Sequence, residues 1–222
     1  MHKDFEKNGY LVVRNFFDAT TLGLLQDYFS IKYKLIKFYK IPKLKSGTSF
    51  VASGYDIYAD TLTESISTRS LLKVSELLKI NVHPTYTSTR IYEKGDHLAP
   101  HVDKTACEIS ITSPIITYIN SPSIIYISNY TFNSSKDKQI VTYEEVKNRG
   151  DYSEVKLYPG DVLFYKGCEM YHWREPLEDE LLIQFFMHYI QVGGKYEEWY
   201  LNKRPFLGHQ FLQSISLAIL RS

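Results

Sequence analysis

His101, Val102 and Asp103 form the triplet in this chain with the clearest chemical potential. Residues separated by one on a β-strand point to the same face, so an imidazole and a carboxylate at these positions can grip one ion together. Such a pair needs a third ligand. In the arrangement of two histidines and one carboxylate, a second histidine on another strand supplies it, and three adjacent coordination positions stay open. A lone His101 would more simply be a surface or hydrogen-bonded residue, so the surroundings of the triplet carry the weight.

Upstream, the run from Arg90 through Tyr92, Gly95 and Leu98 to Pro100 reads as a strand, a glycine turn and a return into His101. Downstream, Tyr158-Pro159-Gly160-Asp161 is a turn signal that launches the apolar strand Val162 to Tyr165. Past Gly167 that strand leads to Tyr171-His172-Trp173-Arg174, which supplies the second histidine. Tyr171 and Trp173 then face away from it as packing residues. His188, within Phe185-Phe186-Met187-His188-Tyr189, reads as a core residue or a supporting neighbour of the site, and its strand position makes it a backup ligand; His97 reads as solvent-exposed or substrate-facing. Cys107 and Cys168 read as small buried apolar residues.

Several elements must position these groups. Gly9 to Val13 reads as a strand, and Asp18 offers an N-cap for an amphipathic helix through about Tyr28. From Ile31 to Lys45 lysines alternate with apolar residues, which suits an edge strand, a helix face or a nucleic-acid-facing strip, the solvated element being the simplest. Leu71, Leu72, Val74, Leu77 and Leu78 are spaced for a helix over Ser67 to Ile80, stopped by Asn81 and Pro84. Beyond it come short runs rich in Ile, Tyr, Val and Thr: Thr85 to Tyr92, Glu108 to Ser113, Ile115 to Asn120, Ile124 to Ser128, Val155 to Leu157, Val162 to Lys166 and Leu181 to Ile190. Short strands separated by turn residues predict a sandwich or jelly roll. Asn129 to Asp151, polar and lysine-rich with a possible helix at Tyr143 to Asn148, reads as a lid or a mobile surface excursion.

With 222 residues the chain suits one domain, here 1–222, divided into an N-terminal strand and helices (1–84), a β-helix core (85–192) and a C-terminal extension (193–222). An aromatic fraction of 15% favours pleated surfaces. A net charge of +1 gives no global attraction to nucleic acid or an anionic membrane. The 2 cysteines, outside any CxxC pattern, predict neither a disulfide framework nor a thiolate zinc site, and hence a reducing, cytoplasmic setting. No secretory leader is apparent, and no run approaches the roughly 20 apolar residues that cross a bilayer, so a soluble protein is expected.

The segment R-x-Y-x-x-G-x-x-x-x-x-H-x-D from Arg90 to Asp103, the strand from Cys107 to Thr112, and the Pro159-Gly160-Asp161 turn before His172 together resemble the 2-oxoglutarate and iron dependent oxygenase superfamily, most closely its prolyl-4-hydroxylase-like branch. The resemblance covers Thr85 to Tyr189, about half the chain. It implies a mainly β fold with flanking helices, a double-stranded β-helix, and a metal site in which His101, Asp103 and His172 bind Fe(II). It also implies 2-oxoglutarate as co-substrate, with ascorbate as a possible supporting reductant. The reaction implied is hydroxylation with release of succinate and CO2.

The family's basic residue for the distal carboxylate of 2-oxoglutarate has no counterpart at its usual place, where Leu181, Leu182 and Ile183 stand. Arg174 is the first candidate: two residues after His172, it shares that residue's face if the strand continues, and a planar guanidinium matches a carboxylate bidentately. Tyr92 and Arg90 are secondary candidates, and Tyr118 or Gln184 could donate a further hydrogen bond. The resemblance favours an amino-acid side chain as substrate, peptidyl proline first, in a peptide or protein, with a small molecule close behind and nucleic acid disfavoured. The alternative is a non-catalytic jelly-roll protein that binds a metal or ligand.

Overall fold

A computed structural model of the chain describes residues 2–44 and 52–209. The Lys45 end of the lysine-rich run and the last part of the C-terminal extension lie outside the described residues. In chain order the elements are α1 (His2–Asn8), β1 (Tyr10–Val13), α2 (Ala19–Phe38), β2 (Tyr55–Tyr58), α3 (Thr61–Leu78), β3 (Val82–Glu93), β4 (Leu98–His101), β5 (Ile109–Thr117) and β6 (Ser123–Thr131). There follow α4 (Tyr143–Arg149), β7 (Tyr152–Leu157), β8 (Val162–Tyr165), β9 (Met170–Arg174) and β10 (Leu181–Gln191).

The strands form a six-stranded sheet, ordered β1-β8-β5-β10-β3-β2, and a four-stranded sheet, ordered β4-β9-β6-β7, all paired antiparallel. From β3 to β10 the chain crosses repeatedly between the sheets. The result is the expected jelly roll, a double-stranded β-helix extended at both edges of the larger sheet by β1 and β2.

Alternation along each strand sorts residues between the two faces. On β10, Ile183, Phe185, Met187 and Tyr189 join the core under the helices, while Gln184 and His188 engage polar partners on the opposite face. Leu25 and Phe29 of α2, with Val74 and Leu78 of α3, close that core and are almost fully buried. Burying each such side chain contributes about 1.5–3 kcal/mol.

Helix α2 is longer than its sequence suggested. Asp18 caps it, accepting from the Thr21 amide at 2.8 Å. The helix continues to Phe38 because Leu22, Leu25, Phe29, Tyr33 and Ile36 keep one apolar face through the lysine-rich stretch. Of those lysines, Lys32 and Lys37 reach Asp60 and Glu93 at 3.1 and 2.9 Å. Helix α3 likewise starts earlier than expected, at Thr61, where Asp60 accepts from the Leu62 amide at 3.0 Å. It ends at Lys79, which adopts a left-handed φ of 55°.

Two prolines within strands, Pro84 and Pro114, are accommodated at irregularities in the ladder, where a missing N–H costs least. Pro84 lies within β3 beside the register shift at His188/Tyr189. Pro114 lies within β5 opposite Gln184, beside the shift at Ile183/Gln184. Glu108 to Ser113 and Ile115 to Asn120 are therefore not two strands: β5 runs from Ile109 to Thr117, and Tyr118–Asn120 form a short helical turn.

The segment 129–151 is a packed cover over the outer face of the smaller sheet. Val146 of α4 joins Val102, Tyr171 and Trp173 in a buried cluster, confirming that the last two point outward. A capping box between Thr142 and Glu145 starts α4, and the Tyr143 hydroxyl donates to the carbonyls of Leu98 and Arg174 at 3.1 and 2.9 Å. Among the described residues no helix is long and apolar enough to cross a membrane.

Candidate functional site

His101 ends β4 and lies opposite His172 of β9 in the pairing register. Their rings are 4.3 Å apart. Asp103 lies beyond the end of β4, so strand alternation does not place it, contrary to the sequence argument. The Asp103 amide instead donates to the Gly167 carbonyl at 2.8 Å, which turns the chain back toward the two rings. Asp103 Oδ1 is 3.3 Å from His101 Nε2 and 3.6 Å from His172 Nε2.

The far nitrogen of each ring is held by its own strand. His101 Nδ1 donates to the Ala99 carbonyl at 2.8 Å, and His172 Nδ1 to the Met170 carbonyl at 3.1 Å. With Nδ1 protonated, both Nε2 lone pairs are free to bind a metal, as ligating histidines are usually arranged. Burial pushes the His101 imidazole down, which favours its neutral, ligand-competent form. Burial alone would raise the Asp103 carboxyl, but the neighbouring His172 and His101 hold it well below the carboxylate range.

The donor atoms of His101, Asp103 and His172 all lie within 4.8 Å of one another. Adjacent ligands of an octahedral ion sit roughly 3 Å apart for bonds of about 2.1 Å, so this set fits such an ion with small rotations.

The group opens into a cavity of about 510 Å³. Its walls include Asp56 and Tyr58 of β2, Tyr86, Ser88 and Arg90 of β3, Phe186 and His188 of β10, and Gln139 and Ile140 of the outer cover. Of the two arginines singled out in the sequence, Arg90 lines this cavity and already has a counterion, donating to Asp56 Oδ1 at 3.1 Å. Asp56 Oδ1 also accepts from Ser88 Oγ at 2.6 Å.

Arg174 is different. It lies on β9 two residues from His172, about 6.5–7 Å along the strand, and is only 4% exposed. Its Nη1 donates to the Ile124 carbonyl, and its Nη2 to Ser123 Oγ at 3.0 Å and Gln184 Oε1 at 3.4 Å. Its Nε has no partner among the described residues, nor does the hydroxyl of the fully buried Tyr92, whose ring centroid is 5.5 Å from Arg174 Cζ. No carboxylate among the described residues pairs with this guanidinium, and burial pushes its pKa down. Gln184 is held in turn by Thr112 at 2.6 Å.

The structure therefore gathers Arg174, Tyr92 and Gln184 into one buried cluster but leaves Tyr118 out. Tyr118 follows β5, where Ile119 takes a left-handed φ of 47° and turns the chain outward. It is 42% exposed on a separate cleft of about 220 Å³ that Arg174 also borders. Sequence reasoning missed the cavity residues Asp56, Tyr58, Tyr86 and Ser88. The last two could have been found by extending the alternation of Arg90 and Tyr92 backward along β3.

No family model matches the sequence, and no curated protein matches it. Solved structures do match. The epimerase SnoN of nogalamycin biosynthesis, crystallised with Fe3+, α-ketoglutarate and nogalamycin RO, aligns with a TM-score of 0.65 at 13% identity, over 94% of this chain and 90% of SnoN. HygX from Streptomyces hygroscopicus, with nickel, 2-oxoglutarate and hygromycin B bound, aligns with a TM-score of 0.51 at 15% identity over 84% and 85%. A Pseudomonas putida prolyl-4-hydroxylase aligns at 0.53 and 9% identity over 84% and 96%. The fold is that of the 2-oxoglutarate-dependent oxygenases.

Proposed function

We propose that this protein is an Fe(II)- and 2-oxoglutarate-dependent oxygenase that hydroxylates its substrate, with the metal bound by His101, Asp103 and His172. The observation that carries the reading is the convergence of two backbone-oriented Nε2 atoms and one carboxylate at the wall of a cavity, with a buried arginine without a counterion two residues further along β9. Iron(II), 2-oxoglutarate and dioxygen would supply the oxidising chemistry, one oxygen atom entering succinate as CO2 is released and the other becoming the hydroxyl on the substrate.

The chain's own residues bind and orient. The carbonyls of Ala99 and Met170 fix the two imidazoles, and the Gly167 carbonyl fixes the backbone of Asp103. Arg174 holds the distal carboxylate of the co-substrate, with the Tyr92 hydroxyl as a second donor. Ser123 and Gln184 keep the guanidinium in place. The Arg90–Asp56 pair and Ser88 form a polar wall for the substrate.

A cavity of about 510 Å³ is the size of an ordinary small-molecule site. It suits either an amino-acid side chain, with peptidyl proline supported by the prolyl-hydroxylase-like motifs, or a small metabolite, supported by the ligands of SnoN and HygX. The test is succinate formation from 2-oxoglutarate with iron(II) and ascorbate. The wild type is expected to turn over and His101→Ala to be inactive. Absence of both turnover and 2-oxoglutarate binding in the wild type would overturn the reading.

A further inference from the structure

A second set of donors converges on Asp103. While Oδ1 faces the two histidines, Oδ2 accepts from Ser110 Oγ at 3.3 Å. Cys107 and His188 each place a ligand atom within 4.8 Å of Asp103 and of each other, and Ser110 Oγ lies between His188 Nδ1 and Asp103 Oδ2 in hydrogen-bond reach of both. Cys107 ends a short helical turn, Thr105–Cys107, and is fully buried, with its Sγ 3.1 Å from the Tyr86 hydroxyl. His188 pairs with Ser110 across β10 and β5, and its Nδ1 is 2.9 Å from Ser110 Oγ. Neither residue has a part in holding iron or 2-oxoglutarate.

We propose that Asp103, Cys107 and His188 form a second metal site, for a borderline ion of the Zn2+ class, which shares Asp103 with the triad by taking its other carboxylate oxygen. A thiolate, an imidazole and a carboxylate are the mixed donors such an ion accepts, whereas Mg2+ and Ca2+ take oxygen. Three protein ligands leave the fourth position of a tetrahedral ion open. Tyr86 and His188 line the main cavity, which gives an ion its path to the site. Ser110 and Tyr86 hydrogen-bond to the donors as outer partners of metal ligands do. On binding, the Cys107 thiol gives its proton to solvent as the sulfur–metal bond forms, with no change in oxidation state.

The inference goes beyond the oxygenase reading and shares only Asp103 with it. Its test is an anaerobic titration of the purified protein with Co2+. The wild type should bind two equivalents, one of them raising a near-ultraviolet thiolate-to-cobalt charge-transfer band. Cys107→Ala should bind one equivalent without the band and still form succinate if the protein is an oxygenase. Ser110→Ala should weaken the band-forming site by at least ~10-fold. His172→Ala keeps Cys107 in its native surroundings and should retain the band.

A wild-type protein that binds cobalt without the band overturns the proposal, whatever the variants do. Loss of the band in folded His172→Ala overturns it too, because the thiol would then share one ion with the triad. Succinate formation reports separately on the oxygenase reading.

Discussion

The guanidinium of Arg174 lies against the ring of Tyr92, 5.5 Å from its centroid, and the two residues bury an Nε and a hydroxyl that have no hydrogen-bond partner among the described residues. Leaving such groups unsatisfied costs about 1–3 kcal/mol each, and one carboxylate placed between them would satisfy both. Arg174→Leu is therefore expected to raise the dissociation constant for 2-oxoglutarate about 100-fold, equivalent to ~3 kcal/mol of charge-assisted bonding, while metal affinity stays near wild type. Anaerobic calorimetry with Mn2+ in place of iron separates the two. Arg90→Leu is the comparison, and its effect should be far smaller because Asp56 already meets that charge. Equal affinity in Arg174→Leu and wild type would move the anchor elsewhere.

Gly167 allows Asp103 to pack beside His101 and His172 by having no side chain. A Cβ there would lie 2.3 Å from Ser110 Oγ, 2.6 Å from the Cys107 carbonyl and 2.7 Å from Asp103 Oδ2. Two of these neighbours cannot simply rotate away, since one is backbone and the other is the carboxylate under discussion. Gly167→Ala is expected to destabilise the fold by about 1–3 kcal/mol and to displace Asp103. In consequence the rise in melting temperature on adding Mn2+ should shrink or vanish. A full metal-induced rise in the variant would show that Asp103 tolerates the displacement.

Spacing and order bring His101, Asp103 and His172 out of the sequence as a group, because turn residues and short strands around the two histidines fix where their chain segments return, and their donor atoms do lie within 4.8 Å of one another. The reason given for Asp103 was nevertheless wrong: its position comes from a backbone bond to Gly167, distant in sequence, and not from strand alternation. Arg174 is singled out by strand periodicity, and it stands on β9 two residues after His172, buried against Tyr92 and held by Ser123. Tyr118 stands apart from the Arg174–Tyr92–Gln184 cluster because the chain leaves β5 at Thr117 and turns at the left-handed Ile119, and a β-branched residue gives no sequence warning of that conformation. Asp56 stayed hidden because β2 is a short edge strand whose role depends wholly on pairing with β3.

Glu93 ties α2 to the end of β3, accepting from the Tyr33 hydroxyl at 2.5 Å and from Lys37 at 2.9 Å and pairing with Lys43 at 2.9 Å. Burial alone would raise its carboxyl, but the hydrogen bonds from Tyr33, Lys43 and Lys37 outweigh it and bring the pKa from 4.5 to about 2. The folded state thus binds the proton more weakly than the unfolded chain. The stability gained is complete above the unfolded value and is lost as pH falls from about 4.5 toward about 2. Glu93→Gln should remove this contribution, on the order of 2 kcal/mol after allowance for solvent screening, and flatten the acid limb of a plot of stability against pH. Parallel acid limbs for variant and wild type would assign acid sensitivity to other groups.

Arg204 fastens the residues after the last strand to α3 through an ion pair that is almost wholly out of solvent. Its Nη2 donates to Glu64 Oε1 at 2.5 Å and to the Thr85 carbonyl at 2.9 Å, with side-chain exposures of 0% and 2% for Arg204 and Glu64. The Gly208 amide also donates to Glu64, so the carboxylate gathers the end of the described chain. Arg204→Met leaves Glu64 charged and buried without its partner, and the expected cost is about 3–5 kcal/mol in urea unfolding. Replacing both partners with apolar residues should recover much of that loss, because no buried charge then remains. A double variant as unstable as Arg204→Met would show that the loss comes from the contact of the Arg204 guanidinium with the Tyr58 ring, whose centroid is 5.4 Å from Cζ, and not from the orphaned charge.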